Sequence, residues 1–161
     1  MMRSRSSCRT SSVLTEAEIK TFIDGAIHYF AVSARQPVAV GSPYLITDGA
    51  PAVHEYTGVI AVSGRRKGAV CFTAPRSMLM VLLMRMNETD TSESNMKDLI
   101  GEVANTISGN ARRDFGKEFV ISVPTVVETD GGKFRPPVNA RPFIIPLNWR
   151  SHSAKLIVCL E

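Results

Sequence analysis

Between Asn95 and Phe115 the apolar residues recur at a helical period that no strand could use. With Asp98 set at zero on a wheel that advances about 100° per residue, Met96, Ile100, Val103, Ile107 and Ala111 gather between roughly 140° and 220°. Glu102, Asn105, Gly109 and Arg112 fall within about 40° of Asp98 on the other side. Gly116 supplies a stop. A long helix with one apolar side and one polar stripe must lay the apolar side on a sheet or on other helices.

The rest of the chain supplies those layers. Thr15 and Glu18 form a capping-box pattern at the head of TEAEIKTFIDGAIHYFAVSA, whose Ile19, Phe22, Ile23, Ala26, Ile27 and Phe30 recur at helical spacing. Val38 to Ile46 reads as a strand interrupted by Gly41 and Pro43, hence an edge or a bulged one. Tyr56 to Ser63 and Gly68 to Thr73 flank GRRKG and predict a hairpin, with Arg65, Arg66 and Lys67 as a solvated turn. A second helix follows from Arg76 to about Met86; Met78, Met80, Met84 and Met86 read as core filler rather than an adaptable binding face. The polar, acidic run Asn87 to Asn95 predicts a loop. Strands are expected at Phe119 to Val127, at Ala140 to Trp149, where Pro142 and Pro146 imply an exposed edge, and at Lys155 to Leu160. GG at 131–132 and PP at 136–137 mark the loop between the first two. The class is α/β in the α+β sense: a single domain with a largely antiparallel sheet and long helices.

Composition narrows function mainly by exclusion. The chain has 161 residues, one domain's worth, and a net charge of +4. Arg3, Arg5 and Arg9 lie in the Ser-rich opening MMRSRSSCRTSS, so the remainder is close to neutral and no nucleic-acid partner is expected. Residues 1–12 read as a disordered basic leader and 13–161 as the folded domain. The leader lacks the apolar stretch of a secretory signal, and the longest apolar run, Met78 to Met84, is too short for a bilayer. A cytoplasmic protein without a membrane partner is therefore expected. Cys8, Cys71 and Cys159 form no CxxC pair, and His28, His54 and His152 lack ligand spacing, so no zinc site is expected.

The polar stripe has three oddities. Asp98 and Glu102 are like charges four apart, which costs a helix about 0.2–0.5 kcal/mol. Glu102 has no basic residue three or four positions on, only Asn105 and Thr106. Gly101 and Gly109 flank the stripe at about 1 kcal/mol each relative to alanine, and Asn105 sits too deep for a capping role. A face shaped for a partner accounts for all three. A solvated helix side with incidental acids and tolerated glycines is the competing explanation, and the wheel alone does not separate them.

The segment DLIGEVANTISGNARRDFG (Asp98 to Gly116) resembles the active helix of the CheX and CheC chemotaxis phosphatases, a family that also takes in FliY. Their signature is Glu-x-x-Asn on one helix, with Asp or Ser four residues before the Glu; here it reads Asp98, Glu102, Asn105. ISVPTVVETDG (Ile121 to Gly131) and TGVIAVSGRRKGAVCF (Thr57 to Phe72) also look like CheX, and the likeness runs from about Val13 onward. One ExxN helix rather than two related ones makes CheX the nearer of the two. The resemblance implies a phosphatase for the aspartyl phosphate of a CheY-type receiver domain. It makes Asn105 the residue that positions water and Glu102 the acid that docks the receiver's lysine. Asp98 would have a peripheral docking role, and Gly101 and Gly109 are read beside it as permitting close approach. The resemblance puts no bound cofactor in this chain and Mg2+ in the receiver, and it implies a homodimer, for which the proline-marked strands would supply an exposed edge. A non-catalytic receiver-binding module, and a small-molecule sensing domain, are the other readings.

Overall fold

The computed structural model describes residues 14–136 and 138–161; the expected leader, 1–12, and Cys8 lie outside the described residues. The elements, in chain order, are α1 (Glu16–Val32), β1 (Ala39–Val40), β2 (Tyr44–Leu45), β3 (Tyr56–Gly64), β4 (Gly68–Ala74), α2 (Arg76–Arg85), α3 (Glu93–Phe115), β5 (Phe119–Ile121), β6 (Thr125–Glu128), β7 (Phe143–Trp149) and β8 (His152–Leu160). The strands form one antiparallel sheet in the order β1-β7-β8-β4-β3-β5, with β2 also on β7 and β6 also on β3.

The helices lie on one face of this sheet. Phe22, Phe30, Met78, Leu82, Ile100 and Ile107 pack there with Ile60, Phe72, Trp149 and Leu156 in the main core. On the other face a smaller cluster of Val53, Ala69, Cys71, Ile144, Ile157 and Cys159 is covered by Phe134 and Val138 of the long loop. The central strand β4 is therefore buried at every position, as its unbroken apolar run requires. Burial raises the Cys159 thiol to about 12 and the Cys71 thiol further still, so both remain protonated packing groups.

The helix starts follow local chemistry. Thr15 Oγ1 accepts from the Glu18 amide at 3.1 Å, and Glu18 Oε1 accepts from the Thr15 amide at 3.0 Å, completing the expected capping box. α3 begins two residues before its expected start, because Ser92 Oγ caps it by accepting from the Asn95 amide at 3.3 Å. The polar run after Asn87 is therefore part helix, not all loop.

Five further expectations are corrected. Val38 to Ile46 forms two short strands instead of one, and Phe119 to Val127 is split around Pro124. β7 is not an edge strand, since it pairs with β8 on one side and with β1 and β2 on the other. Pro146 is tolerated because the flanking strand breaks at Gly41–Pro43, where Gly41 still donates to the Pro146 carbonyl at 2.9 Å. Of the four methionines between Met78 and Met86 only Met78 is core; Met80, Met84 and Met86 are exposed on the outer side of α2 and at its end. Arg66 is not a solvated turn residue: it is ion-paired to Glu18 and donates to the Glu161 carbonyl at 3.1 Å, tying the hairpin tip to α1 and to the last strand.

Candidate functional site

α3 is seated by three close approaches, each made possible by a missing side chain. Beneath it, a Cβ at Gly58 of β3 would lie 2.5 Å from the Ile100 carbonyl oxygen and 3.2 Å from Ala104 Cβ. Beside it, a Cβ at Gly25 of α1 would lie 3.3 Å from the Ile107 carbonyl oxygen and 3.6 Å from Asn110 Cβ. On the opposite flank a Cβ at Gly101 would meet Pro124 at 3.1 Å. Lys97 pairs with Glu128 of β6 at 3.1 Å, and Tyr56 donates to Glu93 at 2.7 Å, so the first turns are anchored too. That hydrogen bond, with Lys97 nearby, holds the Glu93 carboxyl below its ordinary value.

What remains open is the stripe. Asp98 and Glu102 are exposed and Asn105 is half-buried. Among the described residues, no side-chain hydrogen bond or ion pair engages any of the three. Nothing lies within 4 Å of where a Cβ at Gly109 would stand. Glu102 is thus a carboxylate without a counter-ion in its own fold, and Asn105 presents an amide that the chain itself does not use.

Gly101 is placed differently from the expectation. It is buried against Pro124 of the same chain, so its small size admits an internal neighbour and does not open a surface to a partner. The sequence signal that could have pointed inward was Pro124, which breaks the strand that would otherwise run past Gly101. Gly58 was missed as well; a glycine within a β-rich run is itself a sign that another backbone comes close.

The other flank of the stripe is α1. Thr21 donates to Asp114 at 3.0 Å, the Phe22 and Phe115 rings lie 5.7 Å apart, and Gly25 faces Asn110, so the two helices run antiparallel. This register brings Tyr29 beside the turn that carries Glu102. Its hydroxyl is buried without a hydrogen-bond partner among the described residues, and burial, then the Glu102 charge, raises its phenol well above the ordinary value. Tyr29 is thus a buried phenol packed beside the Glu102 turn.

Two features near the ends of α3 differ in character. At the N-terminal end, Glu55, Glu93, Glu128, Asp130, Tyr56 and Arg76 line an acidic recess, yet no group of three or more His, Cys, Asp or Glu among the described residues could hold a metal ion. At the C-terminal end, Gly109, Arg112, Arg113, Gly116 and Lys117 line an open groove of about 410 Å³. No helix among the described residues is long and apolar enough to cross a membrane.

Fold and site together define an α/β domain that displays one clamped helix on an antiparallel sheet, with an unengaged amide beside an unpaired acid. The chain matches the model of the family "Chemotaxis phosphatase CheX" over residues 56–148, more than half of its length, and it belongs to that family. All five expected site residues fall in that span. A CheC-like superfamily protein from Shewanella sp. PV-4 is similar at a TM-score of 0.80 and 23% identity, over 92% of this chain and 99% of that one. The chemotaxis protein CheX from Vibrio vulnificus is similar at 0.78 and 20%, over 90% and 99%. A chain of the CheX–CheY–BeF3–Mg2+ complex from Borrelia burgdorferi is similar at 0.68 and 17%, over 89% and 97%. At these identities the structural likeness is one of fold. No curated protein matches the chain.

Proposed function

We propose that this protein accelerates hydrolysis of the aspartyl phosphate on a CheY-type receiver domain, with Asn105 positioning the water and Glu102 docking the receiver. The observation that carries this reading is an accessible carboxamide and an unpaired carboxylate, one turn apart on a rigidly seated helix. The CheX family membership and the relative that was solved with CheY support the choice of substrate.

The chemistry asks little of this chain. An acyl phosphate is already activated, and the receiver brings Mg2+ to the phosphoryl oxygens. Water attacks phosphorus, the bond from phosphorus to the aspartyl oxygen breaks, and the carboxylate leaves with the electron pair as inorganic phosphate is released. Asn105 holds that water in line through its amide, which is catalysis by placement without a covalent intermediate. Glu102 accepts the receiver's lysine, an ion pair that sets the docking angle and engages a charge left unpaired in the free protein. Asp98, one turn before Glu102, adds negative charge at the rim.

Phosphate release from phosphorylated receivers tests the reading: wild type is expected to shorten their phosphorylated lifetime. Phosphorylation-dependent binding without faster release would make the chain a receiver-binding module instead. Glu102→Ala is expected to raise KM about tenfold with a smaller change in kcat, because it removes a docking charge and leaves the amide in place. Unchanged affinity for the receiver would contradict the docking role. An exposed residue, in like-charge contact with Asp98, should cost under about 0.5 kcal/mol of stability when replaced.

A homodimer belongs to the same reading; pairing on both sides removes β7 as its edge, whereas the proline-marked Val38 to Ile46 stretch, β1 and β2, does lie at one. With β7 interior, the open edges are the short β1–β2 pieces and the β5–β6 side, where Val120 and Val123 are exposed. A solution mass of one chain at working concentration would remove the dimer.

A further inference from the structure

The stripe does not end at Asn105, and its charge changes sign along its length. Asp98 and Glu102 lie on the N-terminal side of the amide. On the C-terminal side Arg112 follows Asn105 by two turns, about 10 Å along the axis, at nearly the same angle. Arg112, Arg113 and Lys117 are all exposed, and none has an ion pair among the described residues. The acids nearest in the chain are turned elsewhere: Asp114 accepts from Thr21, and Glu118 lies 4.0 Å from Arg65. Gly109 and Gly116 put no side chain into the groove at this end of the helix, and a Cβ at either would meet nothing within 4 Å.

Cations in the last turn of a helix need no partner to be explained, since they offset its negative end. That accounts for Arg112 and Arg113. It does not account for Lys117, which lies beyond the helix, nor for an open groove bounded by two glycines on the same line as Glu102 and Asn105.

We infer that this groove is a second docking subsite of the same face, in which Arg112, flanked by Arg113 and Lys117, takes an acidic side chain of the receiver. The inference rests on the phosphatase reading and adds to it a polarity. A partner that places its lysine on Glu102 and its phosphoryl group at Asn105 must carry an anionic group about 10 Å further along, opposite Arg112. Docking the other way round would set like charges against each other at both ends, a penalty of several kcal/mol. The stripe would thus fix the direction in which the receiver lies and discriminate among receivers by the charge at that one position.

The test is the double variant Arg112→Glu/Lys117→Glu, compared with Lys133→Glu/Arg141→Glu, which makes the same change in net charge on exposed residues at the other face of the sheet. KM for a phosphorylated receiver, kcat, and affinity for the same receiver are measured at several salt concentrations. The expected result is a KM and dissociation constant raised about tenfold, kcat within twofold of wild type, and a flatter salt dependence. The control pair should leave KM within about twofold, and Arg112→Lys should retain most of the docking. Thermal melting confirms that the variants fold. An active wild type whose KM and salt dependence survive the double reversal would overturn the subsite alone. A wild type that neither binds nor dephosphorylates any receiver would overturn the phosphatase reading and the subsite with it.

Discussion

Asn105→Ala is expected to lower the acceleration of receiver dephosphorylation by about two to three orders of magnitude, the usual cost of removing one preorganised group at the reacting centre. Its melting temperature should stay level or rise slightly. The side chain is half-buried and makes no hydrogen bond to the rest of the described protein, so the substitution breaks nothing in the fold. Alanine also forms helix better than asparagine by about half a kcal/mol. The two outcomes together are informative. A fold that tightens while activity disappears marks a residue kept for what it does in a partner's site. Steady-state phosphate release and a thermal melt of the same preparation measure both.

The second large effect is on the seat of that helix. In Gly58→Ala the added carbon would stand 2.5 Å from the Ile100 carbonyl oxygen and 3.0 Å from its carbon, both backbone atoms that cannot rotate aside. α3 must lift from β3, separating contacts around Ile100 and Ala104 in the main core. Overpacking of this kind costs about 3 kcal/mol or more, a fall in melting temperature of roughly 6–12 °C for a chain of this length. Activity should fall as well, because Asn105 is carried on the displaced element. A melt unchanged to within a degree would show that the helix does not rest on Gly58 as described.

The parts of this molecule legible in the sequence were those set by residues close together in the chain. The period of α3, the Thr15–Glu18 box and the β3–β4 hairpin are local patterns, and they sit at or within a few residues of their expected places. The stripe of Asp98, Glu102 and Asn105 was readable for the same reason, since a wheel needs only the helix itself. What escaped depends on which distant segment comes near. Gly101 looked like a concession to a partner because nothing local reveals Pro124 beside it. Pro146 suggested an edge, and only the break at Gly41–Pro43 in a strand far away in sequence makes it tolerable inside the sheet. The methionines of α2 are apolar all round, so period could not say that Met80, Met84 and Met86 face outward. Arg66 was hidden by the same rule: a turn residue is solvated unless another element, here α1 with Glu18, happens to reach it.

The central claim is that an amide on α3 places a water molecule for attack at phosphorus, and single-turnover hydrolysis under saturation addresses it without interference from docking. Phosphorylated receiver is mixed with excess wild type or excess Asn105→Ala, at concentrations where binding measurements show both complexes to be full, and phosphate is followed in time. The expected result is equal binding, rapid release with wild type, and release near the receiver's own rate with the variant. Equal rates in the two saturated complexes would contradict the claim.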